Sequence, residues 1–345
     1  MKKIRLLIVT QKVDENDPVL GFVCRWIQEF AKHFETITVI GFYVGEYHLP
    51  KNVSVYSAGK EKGYPKWKRG LTYVSLLVSL QKHYTHVYAH MSPEFVLVGG
   101  PLWKLWGKYI TLWYNHTAGD WRLTGAAWFS KKLFHTSPYA ASARFPQAVR
   151  MPAGIDTQVF KPQDVPKKQN EVYFQGRVAP AKRVWEIAEA VRRLRMRGTL
   201  ATLTVVGPEE PTYAEKMKTE FGNMIDERAL LFIGPKKSTD TPVLYSAAKV
   251  SVNLTAAGNY DKTVLESMAC GTPAIVSSPA FADLVPAEWI IAENNIDAVS
   301  SAIKKIVSMP TEIYKALGKE LREEVIAKHE IQVLAETLFK NIQNL

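Results

Sequence analysis

Gly258-Asn259-Tyr260-Asp261-Lys262-Thr263-Val264-Leu265-Glu266-Ser267-Met268-Ala269-Cys270-Gly271-Thr272-Pro273 is the stretch that decides the fold. An apolar run, Val250–Leu254, reads as a strand just before it. The segment opens as a polar, glycine-containing loop and turns helical near Thr263. Small residues and Gly271 then stop the helix before the next apolar run, Ala274–Val276. A strand that feeds such a loop and then a helix aims the first helical amides at whatever lies beyond the strand. The amides of Thr263, Val264 and Leu265 would therefore point at an anion. Glu266, one turn in, can accept hydrogen bonds from ribose hydroxyls. Leu265 and Met268 flank it and argue that it faces inward, where a carboxylate needs such partners. The competing reading is a first-turn glutamate facing solvent.

Working outward, short apolar runs alternate with amphipathic stretches. Ile4–Thr10 reads as a buried strand, Phe22–Phe34 as a helix and Thr36–Phe42 as a strand. Strands at His86–His90 and Tyr109–Tyr114 bracket a helix at Glu94–Leu105. A helix at Gly125–Leu133 precedes a short strand near Phe134. Near 151–170 the pattern breaks at Met151-Pro152-Ala153-Gly154-Ile155-Asp156, Pro162 and Pro166, which read as a linker. It then restarts. Strands are expected at Glu171–Gln175, Leu203–Val206 and Leu230–Ile233, and helices at Arg183–Met196, Ala214–Phe221 and Thr263–Ala269. Residues 296–345 look helical. Strands alternating with helices imply parallel sheets. The 345 residues suit two domains. The expected class is α/β, two Rossmann-like domains facing across a cleft. The first would take residues 1–155 and the second 156–325, with a terminal helix at 326–345 that can pack back on the first. Ligands in such sheets bind beyond the carboxyl ends of the strands.

Composition divides at the same boundary. Residues 1–155 hold 20 Lys and Arg against 9 Asp and Glu, whereas residues 156–345 hold 24 of each. All of the net charge of +11 therefore lies in the first half, with seven of the nine tryptophans. That combination suits an anionic ligand or an anionic membrane surface. Lys60, Lys62, Lys66, Lys68 and Arg69 surround Tyr64 and Trp67, and Leu71–Leu80 follows. The alternative there is a solvated basic loop beside core tryptophans. No recognisable nucleic-acid motif accompanies the charge. Cys24 and Cys270 are too few for a disulfide scaffold. The start Met1-Lys2-Lys3-Ile4-Arg5 is basic, but Leu6-Leu7-Ile8-Val9 is too short for a signal peptide. No run approaches the ~18 apolar residues of a membrane span. A cytoplasmic protein is the expectation, with peripheral attachment at the inner membrane face left open.

Three further places carry chemistry. Gly176-Arg177-Val178-Ala179-Pro180-Ala181-Lys182 follows a strand and opens a helix. Arg177 and Lys182 at that junction can clamp a diphosphate, or they are solvated surface cations. The polar loop Gln11–Leu20 ends at Gly21 before a helix. Gly21 lets a ligand reach the backbone there, or it is a turn glycine. Tyr114-Asn115-His116 and His90-Met91-Ser92-Pro93 each close a strand, with cleft-facing histidines or core ones. None of the His and carboxylate spacings forms a metal site, so no metal and no cofactor is expected.

Together these motifs resemble the retaining, family 4 type of GT-B glycosyltransferase (glycosyl transferases group 1) over nearly the whole chain. The resemblance rests on Gly-Ile-Asp-x-x-x-Phe-x-Pro at 154–162, Gly-Arg-x4-Lys at 176–182, the strand Leu203–Gly207 and Leu-Glu-Ser-Met-Ala-Cys-Gly-Thr-Pro at 265–273. It implies a nucleotide-sugar donor held mainly by the second domain. Arg177 and Lys182 would take the diphosphate and Glu266 the ribose. The Phe232-Ile233-Gly234-Pro235 turn would lie beside the base, with main-chain contacts at Ile233 and Pro235. Gly21 would admit the phosphates and His116 would contact the transferred sugar. It implies a glycan or lipid-linked acceptor on the first domain. One departure stands out. The family has Glu-x7-Glu, and Gly258 stands where the first Glu belongs. Asp261 is the nearest carboxylate, and Lys262 adds a phosphate contact. The departure keeps a non-catalytic nucleotide-sugar or glycan-binding protein in view, beside a nucleotide-sugar epimerase on the same fold.

Overall fold

The computed structural model describes residues 4–345, so the basic start Met1-Lys2-Lys3 lies outside the described residues. Seven parallel strands make the first sheet: β1 (Arg5–Val13), β2 (Thr36–Val44), β3 (Val53–Ser57), β4 (His86–His90), β5 (Tyr109–Trp113), β6 (Lys132–His135) and β7 (Ala148–Arg150). Their order is β3-β2-β1-β4-β5-β6-β7. Five parallel strands make the second: β8 (Glu171–Gln175), β9 (Thr202–Val206), β10 (Leu230–Phe232), β11 (Val250–Asn253) and β12 (Ala274–Val276). Their order is β10-β9-β8-β11-β12. Each sheet therefore grows outward in two directions from its first strand, the doubly wound arrangement.

Alternating side chains on each strand build two cores in the first unit. Leu7 and Val9 of β1 point to one face, with Tyr73 and Leu77 of helix Lys66–Ser79, Trp103 of helix Pro93–Leu105 and Leu123 of helix Trp121–Phe129. Leu6 and Ile8 point to the other, with Trp26 and Phe30 of helix Phe22–Phe30 and Leu334 and Leu338 of helix Ile331–Gln343. The last helix thus belongs to the first sheet. Phe34 and Phe339 meet edge to face, 5.3 Å between ring centres.

The chain divides into two compact units. One comprises the residues up to Gly154 together with Ile331–Leu345, and the other Ile155–Glu330. The expected boundary at 325/326 falls inside helix Thr311–His329. The real break is one residue, Glu330, whose extended backbone ends the helix. Its carboxylate accepts from Thr157 Oγ1 at 2.6 Å, and His329 O accepts from Ile155 N at 2.8 Å.

Other expectations shift for local reasons. The basic stretch and its apolar sequel form one helix from Lys66, because Tyr73 and Leu77, four apart, bury the same face. The helix expected at Gly125–Leu133 starts at Trp121, where the Asp120 carboxylate accepts from Arg122 N at 3.0 Å. Leu133 lies in β6 instead. Strand β3 has no fully buried residue and no unbroken apolar run to betray it.

Candidate functional site

In the second sheet the winding reverses between β8 and β11, and the carboxyl end of that pair is where such folds place ligands. The loops leaving those two strands, with the helix that follows the second, carry most of the expected site residues. Asn253 ends β11 and Thr255 follows it. Asp261 precedes helix Lys262–Ala269. From the β8 side, the turn Pro180–Lys182 brings Lys182 across. Lys182 Nζ lies 2.6 Å from Asp261 Oδ2, with the two side chains about a quarter exposed. The same oxygen accepts from Thr255 Oγ1 at 2.7 Å and from Asn253 Nδ2 at 3.0 Å. Burial pushes the Asp261 carboxyl up, but Lys182 and these donors outweigh it and leave it below the ordinary range.

Asp261 therefore acts through Lys182 rather than as a free carboxylate. The ion pair contributes stability above pH ~4, which is lost as pH falls through the lowered carboxyl value. Lys182→Ala should cost about 1–2 kcal/mol, discounted for partial exposure. Urea unfolding at pH 7 and pH 3 checks this. The loss should be present at the first pH and shrink at the second.

Glu266 is half-buried on the next turn, with Tyr245 Oη donating to its Oε2 at 3.3 Å. Its carboxyl is pushed up to about 7, chiefly by burial; Lys262 and Tyr245 pull it down and Asp261 raises it further. Burial likewise holds the Lys262 ammonium well below its usual value, against the pull of Glu266. Val264 and Leu265 are buried, and Val264 N bonds Asp261 O at 3.2 Å.

Arg177 is exposed and has no hydrogen bond or ion pair among the described residues. Its approach is set by glycine. Gly176 and Gly207 end β8 and β9 with φ of +154° and +144°. A Cβ built on Gly207 would overlap the Gly176 carbonyl oxygen. Gly207 N donates to Gly234 O at 3.0 Å, which ties in the turn after β10. Ile233 is half-buried and Pro235 exposed in that turn. Gly258, at the place of the first glutamate, has φ of +90° and its amide bonded to Ser278 Oγ at 3.1 Å.

The first unit places its candidates differently. Gly21 has ordinary helical backbone, and a Cβ there would meet Asp17 O at 2.6 Å and Glu15 O at 2.9 Å. The glycine thus admits the chain's own loop. In that loop Asp17 Oδ1 accepts from the amides of Val19 and Leu20. His116 is exposed, its ring edge-on to Tyr114 at 5.3 Å. His90 is buried beside Trp26, with Nδ1 3.1 Å from Thr10 Oγ1.

Asn253, Thr255 and Tyr245 escape the sequence reading. The only sequence signal for the first two is a polar pair closing an apolar strand; Tyr245 has none.

Comparison with known proteins bears on the fold and the second unit. The sequence model described as glycosyl transferases group 1 matches residues 156–324. The D-inositol 3-phosphate glycosyltransferase of Salinispora tropica is 31% identical over 129 residues, 33% of this chain and 25% of that protein. The GDP-mannose-dependent alpha-(1-6)-phosphatidylinositol dimannoside mannosyltransferase of Mycobacterium tuberculosis is 28% identical over 173 residues, 47% of this chain and 44% of that protein. The matches thus span less than half the length of these curated relatives. Among solved structures, Anabaena HepE in complex with UDP and glucose superposes with a TM-score of 0.79 at 14% identity, covering 99% of this chain and 100% of that one. Sucrose-phosphate synthase from Thermosynechococcus elongatus gives 0.77 at 18% identity, covering 99% of each. Residues 156–324 accordingly match the glycosyl transferases group 1 model, on a chain with the two-Rossmann-domain GT-B fold.

Proposed function

We propose that the protein is a glycosyltransferase that moves a sugar from a nucleoside diphosphate donor to an acceptor hydroxyl, with retention at the anomeric carbon and without a metal ion. One observation carries the reading. Lys182 meets Asp261 across the reversal point of the second sheet, one turn from Glu266 and at the start of helix Lys262–Ala269. A diphosphate there would find Lys182, the exposed Arg177 and the first helical amides, cations and dipoles that stabilise a leaving diphosphate. The bond from the anomeric carbon to that diphosphate breaks as the acceptor oxygen bonds on the same face. The departing phosphate oxygen takes the acceptor's proton. Glu266 would accept from the ribose, the turn at Ile233 and Pro235 would flank the base, and His116 would meet the sugar. The acceptor is a glycan or a lipid-linked sugar, used in glycan or cell-surface polysaccharide synthesis at the cytoplasmic face of a membrane. Relatives that use GDP-mannose and neighbours solved with UDP-glucose support a nucleotide-sugar donor.

Calorimetric titration with UDP, GDP, ADP and their sugar conjugates tests the donor. One nucleotide should bind, and Arg177→Ala should weaken it about tenfold or more, the loss of a charge-assisted pair. Binding to none of them would refute the reading. Gly258 favours a second one, a nucleotide-sugar-binding protein without transfer. Donor binding without turnover across a panel of glycan acceptors would decide for it.

A further inference from the structure

We propose that the outer face of the helix layer Lys66–Ser79, Pro93–Leu105 and Trp121–Phe129 docks on an anionic lipid surface, with its tryptophans at the headgroup level. The inference rests on the membrane-face part of the proposed function but uses none of the residues assigned to the nucleotide, so donor binding and docking fail separately.

All three helices bury their inner sides in one core. Tyr73 Oη of the first donates to Phe95 O of the second at 3.0 Å, and Arg122 of the third pairs with Glu94 of the second at 2.8 Å. The layer is therefore continuous, and its outward stripes are apolar. On the first helix Trp67, Leu71 and Val78 share one side and are 68%, 64% and 46% exposed. Leu105, 79% exposed, ends the second. Trp121 and Trp128, each 72% exposed, lie two turns apart, about 10 Å along the third. A soluble surface that shows this many large apolar side chains together marks a contact site.

Cations are threaded through the same stripes. Lys66 and Lys68 flank Trp67, and Lys104 precedes Leu105 with its Nζ 3.7 Å from the ring centre of Trp128. From Lys66 to Phe129 there are seven Lys and Arg and two carboxylates, Glu94 and Asp120, both paired with Arg122. Exposed lysine beside exposed tryptophan is the composition of a membrane-interface belt. The core of a protein–protein interface is depleted in lysine, which argues against a second copy of the chain as the occupant. Among the described residues no helix is long and apolar enough to cross a membrane, so contact would be with the surface.

Vesicle flotation tests this with the full chain. Phosphatidylcholine alone should float little protein, and phosphatidylcholine mixed with phosphatidylglycerol should float most of it, less as salt is raised. Trp121→Ser with Trp128→Ser should abolish flotation. Lys66→Gln, Lys68→Gln and Lys104→Gln together should lower partitioning about a hundredfold, at roughly a factor of five per cation. All five side chains are exposed, so circular dichroism and nucleotide binding should be unchanged. Equal recovery of the variants, or no preference for the anionic vesicles, would overturn the proposal. So would a dimer in sedimentation velocity that dissociates on the tryptophan substitutions, since the face would then be covered by a second copy.

Discussion

Glu266→Gln is expected to stabilise the protein and cripple donor binding at once. The Glu266 carboxyl sits at about 7 in the folded chain, above its ordinary value of 4.5, with burial the main cause. A folded state that holds a proton more tightly than the unfolded chain loses stability as pH rises between those two values, and the cost persists above the upper one. Glutamine carries no charge and escapes that cost. Above pH 7 the variant should be more stable by about 1–2 kcal/mol, and below pH 4.5 the two proteins should unfold alike. Binding moves the other way. An ionised carboxylate accepting from ribose hydroxyls contributes hydrogen bonds to a charged group, so its loss should weaken the donor about 10–100-fold. Wild-type affinity should climb with pH through about 7, whereas that of the variant stays flat. Urea unfolding and nucleotide titration at pH 5, 7 and 8 check both arms. A variant that binds normally, or that loses stability at pH 8, would show that Glu266 only props up its helix.

Gly207→Ala should be the most damaging single methyl in the second unit. The position has φ of +144°, which L side chains rarely adopt, and the new Cβ would overlap the Gly176 carbonyl oxygen. Neither strand can retreat without cost. Gly176 N bonds Val206 O at 2.9 Å and Gly207 N bonds Gly234 O at 3.0 Å. A loss of about 3 kcal/mol or more is expected, from overpacking and strain together. That corresponds to a melting temperature lower by roughly 6–12 °C. Gly198→Ala is the control. It shares a positive φ (+85°), but nothing lies near its missing Cβ, so it should lose only about 1–2 kcal/mol. Calorimetry on both separates overlap from strain. Nucleotide binding should fall only in Gly207→Ala, because Arg177 leaves the strand end that would be displaced.

How far the chain was legible depends on how much of each element is buried. Glu171–Gln175, His86–His90 and Ala274–Val276 are parallel strands covered on both faces, and they read as unbroken or nearly unbroken apolar runs. The helix from Lys66 was obscured because its solvent side is also apolar, with Trp67, Leu71 and Val78, so no single stripe declared its period. The break at Glu330 was invisible, being a single extended residue between two helices. In the site, Lys182 and Glu266 stand in motifs, and local spacing pointed to them. Asn253 and Thr255 could not be chosen in this way, because their partners, Asp261 and Lys182, reach them only through loop closure and sheet order. Gly21 shows the converse. Its position before a helix suggested room for a ligand, but which atoms fill the space beside a glycine is a fact of three dimensions.

The side-by-side placement of Ile155 and Glu330 has a consequence for how the protein is made. All seven strands of the first sheet precede Ile155, but one of its two faces is not yet covered by the residues before that point. Its second core needs Leu334, Leu338 and Ile342, which leave the ribosome only after all of the second unit. The second unit is continuous in sequence and its two ends meet at Ile155 N and His329 O, so nothing obliges it to wait. The nascent chain would thus complete its second half first, while Trp26, Ile27 and Phe30 await the closing helix. The same meeting of ends makes residues 155–330 a natural cassette to excise, or to open at a new point by circular permutation.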